Sequence, residues 1–195
     1  MPVKYMNPFT KEVDRRLGTI PDASSVVTRH LSSLKGLFEN KKAEESLLIE
    51  NPIIYQVFEA TENPESEGQL KYSTTVIRPG KIGDQYYMTK GHYHIKGNCG
   101  ELYFGLSGEG YILMQTSDGQ VNCQYVKPNF LTYVPPLWAH RAVNTGFVSF
   151  TFLAVYPADA GYNYATIEKE GFLLIAVEKE GKAVILNIDD YRKSR

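Results

Sequence analysis

The chain has 195 residues, 43% of them hydrophobic and 22% charged, with 21 Lys plus Arg against 22 Asp plus Glu for a formal net charge of -1. That length suits one domain with a sizeable core, and the charge balance lacks the basic excess that holds nucleic-acid phosphates. Two cysteines, Cys99 and Cys123, allow one bridge at most, the N-terminus shows no signal-like leader, and the longest nearly apolar run, 147–156, is too short to span a membrane. A cytoplasmic protein is expected, with neither nucleic acid nor membrane as partner.

Val27, Leu31, Leu34 and Phe38 recur at spacings of four, three and four, the pattern of one helix face, with Asp22 or Ser24 available as N-cap and His30 at a solvated position. Residues 43–49 read as a second short helix, after which Asn51-Pro52 punctuates the chain. From Ile53 the period changes. Segments 53–60, 71–78, 84–89, 101–107, 111–116, 121–126 and 147–156 are short and rich in β-branched and aromatic residues, as strands are. Ser107-Gly108-Glu109-Gly110, Ser117-Asp118-Gly119-Gln120, Pro128-Asn129 and Pro135-Pro136 supply the turns, and 63–68 reads as a solvated loop. The expectation is a single all-β domain, a sandwich or barrel over 51–195 preceded by a helix-bearing extension over 1–50.

Three of the four histidines fall in Gly91-His92-Tyr93-His94 and at His140, with Glu101 between them. A strand places residues i and i+2 on one face, so His92 and His94 project together while Tyr93 points away. A short loop, 95–100, returns the chain so that Glu101 opens the next strand on the cavity side, with Tyr103 beside it. His140 comes from a later strand, after the Pro135-Pro136 corner. Imidazoles and a carboxylate together suit one divalent ion such as iron, manganese, zinc or nickel, with coordination positions left open for chemistry. Cys99 reads as a structural residue.

The string from Gly91 through His92, His94, Glu101 and Gly108 resembles the first cupin motif, and Pro135 through His140 and Asn144 the second. The gap between His94 and Glu101 is longer than in the commonest cupin pattern and resembles that of one branch, the cupin-type glucose-6-phosphate isomerases of archaea and some bacteria. The likeness extends to Tyr72-Ser73-Thr74-Thr75-Val76, Pro79-Gly80-Lys81, Thr89-Lys90-Gly91, Val134-Pro135-Pro136-Leu137-Trp138-Ala139-His140-Arg141 and Tyr156-Pro157-Ala158-Asp159-Ala160-Gly161.

The resemblance implies a double-stranded β-helix, or jelly-roll barrel. It implies one divalent metal per chain, iron first among the candidates, held by His92, His94, Glu101 and His140. It also implies a homodimer and an enzyme of glycolysis and gluconeogenesis that interconverts glucose 6-phosphate and fructose 6-phosphate. It assigns the sugar phosphate to Thr75, Thr89, Gly91, Tyr156 and Tyr164, with Tyr55 and Tyr103 on the cavity wall and Lys90 adding positive potential at the mouth. Glu101 is the carboxylate placed to move a proton between C1 and C2, with a metal-assisted hydride shift as the competing route. A cupin dioxygenase, a non-catalytic sugar-binding cupin and a mannose-phosphate isomerase are the rival readings.

Overall fold

Ser25-Val26-Val27-Thr28 forms a strand, not a helix. In the computed structural model, which describes residues 6–60 and 65–195, β1 spans Ser25–His30 and a single turn of 3-10 helix follows at Leu31–Leu34. Consecutive β-branched residues lose side-chain freedom in a helix and pack well on a pleated surface, and here that preference overrides the four-three-four spacing. The expected helix through Val27 and Phe38 is thus corrected, although Leu31, Leu34 and Phe38 are all fully buried. Neither proposed cap serves: Asp22 pairs with Lys11 at 2.7 Å, and the Ser24 N–H donates to the Glu59 carbonyl. The second expected helix exists as α1, Lys41–Leu47, two residues earlier than 43–49, with Asn40 accepting from the Ala43 N–H. Of the expected loop 63–68, Asn63 and Pro64 lie outside the described residues.

The strands continue as β2 (Ile53–Ala60), β3 (Leu70–Ile77), β4 (Lys81–Ile82), β5 (Gln85–Tyr86), β6 (Glu101–Ser107), β7 (Gly110–Gln115), β8 (Val121–Val126), β9 (Leu131–Val134), β10 (Ala139–Asn144) and β11 (Phe150–Pro157). The chain then forms α2 (Tyr164–Glu170), the hairpin β12 (Leu174–Lys179) and β13 (Lys182–Asn187), and α3 (Ile188–Lys193). Segments 53–60, 101–107 and 121–126 coincide with β2, β6 and β8, whereas 84–89 yields only the two-residue β5. Gly108 makes the β6–β7 turn at φ +65, where a Cβ would stand 2.2 Å from the Ser149 carbonyl oxygen, so no larger residue fits.

Every strand pairing is antiparallel. One sheet runs β1-β2-β3-β11-β6-β9 and a second β10-β7-β8, while β13-β12-β5-β4 forms a third, of four strands. Residues 88–92 run along β10 as an irregular edge of the second sheet, with Met88 bridged to Val143 and His92 to His140. The first two sheets face each other across a cavity, giving the expected all-β, jelly-roll barrel.

Register decides what the cavity sees. Ser25, Glu59, Ser73, Ala154 and Tyr103 stand side by side on one rung, and Val27, Val57, Thr75 and Phe152 on the next. Alternation then brings Arg29 and Tyr55 to the same face. Among the described residues no helix is long and apolar enough to cross a membrane.

Candidate metal centre and substrate cavity

His92 sits on the irregular edge beside β10, His94 two residues further on, Glu101 at the start of β6 and His140 within β10. Their nitrogen and carboxylate atoms all lie within 4.8 Å of one another. Backbone carbonyls set two of the rings: Nδ1 of His94 is 3.1 Å from the Cys99 carbonyl oxygen, and Nδ1 of His140 is 3.2 Å from that of Trp138. A neutral imidazole that donates from Nδ1 turns a lone pair outward at Nε2. Both Nε2 atoms stand 3.1 Å from the same Glu101 oxygen, Oε2. Lone pairs aimed at a carboxylate repel unless a proton or a cation stands between them. His92 Nε2 is buried with no hydrogen-bond partner, which in an apolar setting costs about 1–3 kcal/mol. One divalent cation would satisfy all four groups, and their donor set, three imidazoles and a carboxylate, fits such an ion.

The charges of these groups are coupled. Burial holds His92 well below its ordinary value of 6.5, and the His140 charge adds to that effect. Burial alone would raise the Glu101 carboxyl. The charge and hydrogen bond of His140, with the hydrogen bond of His94, outweigh it and keep Glu101 below the usual carboxylate range. Burial pulls His94 down, but the Glu101 hydrogen bond and charge leave it raised.

The cavity, about 290 Å³, is lined by Tyr55, Thr75, Thr89, Gly91, Tyr103, Tyr156 and Tyr164, every substrate candidate named from the sequence. The Thr89 hydroxyl oxygen accepts from the Ala142 N–H at 3.0 Å, which leaves its own O–H to donate. Gly91 has φ +77, and a Cβ there would meet the Phe172 ring at 2.6 Å and Arg141 at 3.1 Å. Only glycine brings the backbone to the cavity at this point. Burial raises Tyr103, Tyr156 and Tyr162, and pushes Tyr164 up to about 12, so these phenols stay protonated and act as donors. The loop after β11 docks on residues 93–96 through Lys96 N–H to the Ala160 carbonyl and Asn163 N–H to that of Tyr93, which carries Tyr162 and Tyr164 over His92.

Among the polar lining residues, Arg29, Glu59 and Tyr162 carry no role read from the sequence, and Ser73 enters only within the string Tyr72-Ser73-Thr74-Thr75-Val76. Arg29 is hidden because its segment reads as a helix, and Glu59 because Tyr55 alone is singled out on the 53–60 strand. Alternation along Val27 and Arg29, and along Tyr55, Val57 and Glu59, is the signal that finds them. The Arg29 charge partly offsets the burial that raises the Tyr55 phenol, and Arg29 has no carboxylate partner among the described residues. Lys90, expected to charge the mouth, is paired instead with Glu168. Tyr162 donates to the Tyr156 hydroxyl at 2.6 Å and sets its ring edge-on to His92, centroids 4.8 Å apart. His30 ends β1 with Nδ1 on the Asn51 carbonyl, away from the cluster, and is not in a helix.

A family model described as glucose-6-phosphate isomerase matches residues 28–193. The chain belongs to the glucose-6-phosphate isomerase family. A glucose-6-phosphate isomerase of Thermococcus litoralis is 44% identical over 191 residues, covering 97% of this chain and 100% of that protein. One of Pyrococcus abyssi is 45% identical over 184 residues, 94% of this chain and 96% of that one. One of Sinorhizobium medicae is 33% identical over 190 residues, 96% and 88% of the two chains. The span matched by the family model takes in the whole His92, His94, Glu101 and His140 cluster and every lining residue except Val27.

Proposed function

We propose that the chain interconverts glucose 6-phosphate and fructose 6-phosphate with one divalent metal, iron first among the candidates, held by His92, His94, Glu101 and His140. The observation that carries this reading is one cavity with two donor sets of opposite character. A cation-type cluster of imidazoles and carboxylate shares it with an anion-type set of hydroxyls, a free amide and a guanidinium. The shared name of the relatives supplies the substrate. Both cysteines are free thiols, which suits a reducing cytoplasm.

Arg29, Thr75, Thr89, the Gly91 N–H, Tyr55, Tyr156 and Tyr164 would hold the phosphate, the guanidinium supplying the full charge that hydroxyls lack. A bound cation would stabilise the negative charge that develops on the substrate oxygens at C1 and C2. Glu101 takes the proton from C2 and, after partial exchange with solvent, delivers a proton to C1, while the proton of the C2 hydroxyl passes to the C1 oxygen, turning an aldehyde and a secondary alcohol into a primary alcohol and a ketone. The neighbouring Tyr103 phenol, held protonated, donates to substrate oxygen. The deciding experiment is a coupled assay with fructose 6-phosphate after chelation and re-addition of iron, manganese, zinc or nickel. Metal-dependent appearance of glucose 6-phosphate is expected. Tight binding without turnover would leave a sugar-binding protein, consumption of oxygen a dioxygenase, and mannose 6-phosphate as product a different isomerase.

A further inference from the structure

Arg141 follows His140 on β10, lies outside the lining of the cavity and is only 5% exposed. Its guanidinium packs 4.4 Å from the centre of the Phe172 ring and has no carboxylate partner among the described residues. Its hydrogen bonds converge on one acceptor: Nη2 and Nε donate to the Lys90 carbonyl at 2.6 and 3.2 Å. A buried charge with no counter-ion acts strongly on the polar group it touches. The Lys90 carbonyl and the Gly91 N–H belong to one peptide unit, and across a trans peptide they point in opposite directions. With the carbonyl tied to Arg141, the N–H is turned the other way. Gly91 lines the cavity, and no residue of the described chain accepts its N–H.

We propose that Arg141 is a positioning residue of the anion subsite: it fixes and polarises the Lys90–Gly91 peptide so that the Gly91 N–H is presented to the substrate's phosphate. The proposal rests on the phosphate reading of Thr89 and Gly91 given above. A cation hydrogen-bonded to the carbonyl strengthens the N–H as a donor, and the guanidinium field adds to the attraction for a dianion one peptide away. The neutral part of the sugar gains nothing from either effect, so Arg141 discriminates between phosphorylated and unphosphorylated ligands.

The test compares the metal-loaded enzyme with Arg141→Met, Arg141→Lys and Thr89→Val, reading kcat, KM for fructose 6-phosphate, and inhibition by two probes, inorganic phosphate and the neutral polyol sorbitol. Arg141→Met should raise KM and the phosphate inhibition constant about tenfold, as loss of a charge-assisted contact does, with kcat changed less than about threefold and sorbitol inhibition unchanged. Arg141→Lys should show a smaller shift in the same direction. A structural Arg141 would lower thermal stability and affect both probes alike, which overturns the proposal. So does a phosphate constant within about twofold of the parent's in Arg141→Met, or in Arg141→Lys should the methionine variant fail to fold. Phosphate inhibition weakened in Thr89→Val but not in the Arg141 variants removes Arg141 and keeps the subsite. No change in any variant removes both.

Discussion

Glu101 is the residue on which the proposed chemistry turns. It is 4% exposed, shares one oxygen with two imidazoles and stands beside the Tyr103 phenol, whose pKa is raised by burial and by the Glu101 charge. A positioned base contributes roughly 10²–10⁴-fold, so Glu101→Gln should lose at least that much of kcat, and metal analysis of the variant separates loss of the base from loss of the ion. Turnover in deuterated water is the sharper measurement: solvent deuterium should enter the sugar phosphate at C1 or C2. Complete retention of a C2 deuterium label would favour a hydride shift and reduce Glu101 to a ligand. At this scale the sequence was informative because donor chemistry is a property of residue type. Three histidines and a glutamate at these spacings announce their convergence, whatever the backbone does in detail. Arg29 announced nothing, since a cation in a segment read as helix has an exposed face as its default, and only strand register turns it inward.

The elements were legible where the pattern had one period and illegible where two competed. In β2, β6 and β8 alternation and composition agree, and the expected bounds coincide with the observed ones. In β1 the apolar spacing spoke for a helix and the β-branched run for a strand; the edge of an existing sheet gave the strand its partner. The hairpin of β12 and β13 went unread because charges crowd its turn, yet Glu180 and Gly181 both take positive φ, 52 and 73, the pair of conformations that a two-residue hairpin loop demands. The spacing did identify buried residues correctly even though it misjudged their geometry. Leu31→Ala, at a site with 0% exposure in the main core, should therefore cost about 2–5 kcal/mol in chemical denaturation despite lying in an isolated helical turn. A loss below about 1 kcal/mol would mean that this N-terminal turn is not part of the cooperative core.

For the whole molecule, β1 and β9 are the two edge strands of the six-stranded sheet, and an edge strand that pairs with a second copy would give the homodimer that the family resemblance implies. Light scattering at assay concentration should give twice the chain mass, and a fully active monomer would refute it. The buried cluster also ties global stability to pH once the metal is chelated away. His92 is held well below 6.5 in the fold, so the unfolded chain gains a proton more readily, and the stability it contributes fades as pH falls through 6.5. His94 is raised and works the other way: its contribution is present below 6.5 and is lost as pH climbs through its higher folded value. The two windows lie on opposite sides of 6.5, so the stability contributed by the pair is greatest near that pH. Glu101, depressed from 4.5, contributes stability that is present above that value and lost as pH falls below it, in the same direction as His92. The chelated protein should thus begin to lose Tm as pH falls below about 6.5 and lose it more steeply below about 4.5, where Glu101 adds to His92, and Glu101→Gln should flatten the steep part. With metal bound, protons compete with the ion for all four groups, so the loaded protein should lose metal and stability together at a higher pH than the steep fall. Thermal unfolding from pH 4 to 8, with and without chelator, reads both effects. Equal acid slopes in the parent and in Glu101→Gln would show that other carboxylates control the transition and would remove the cluster from the account of stability.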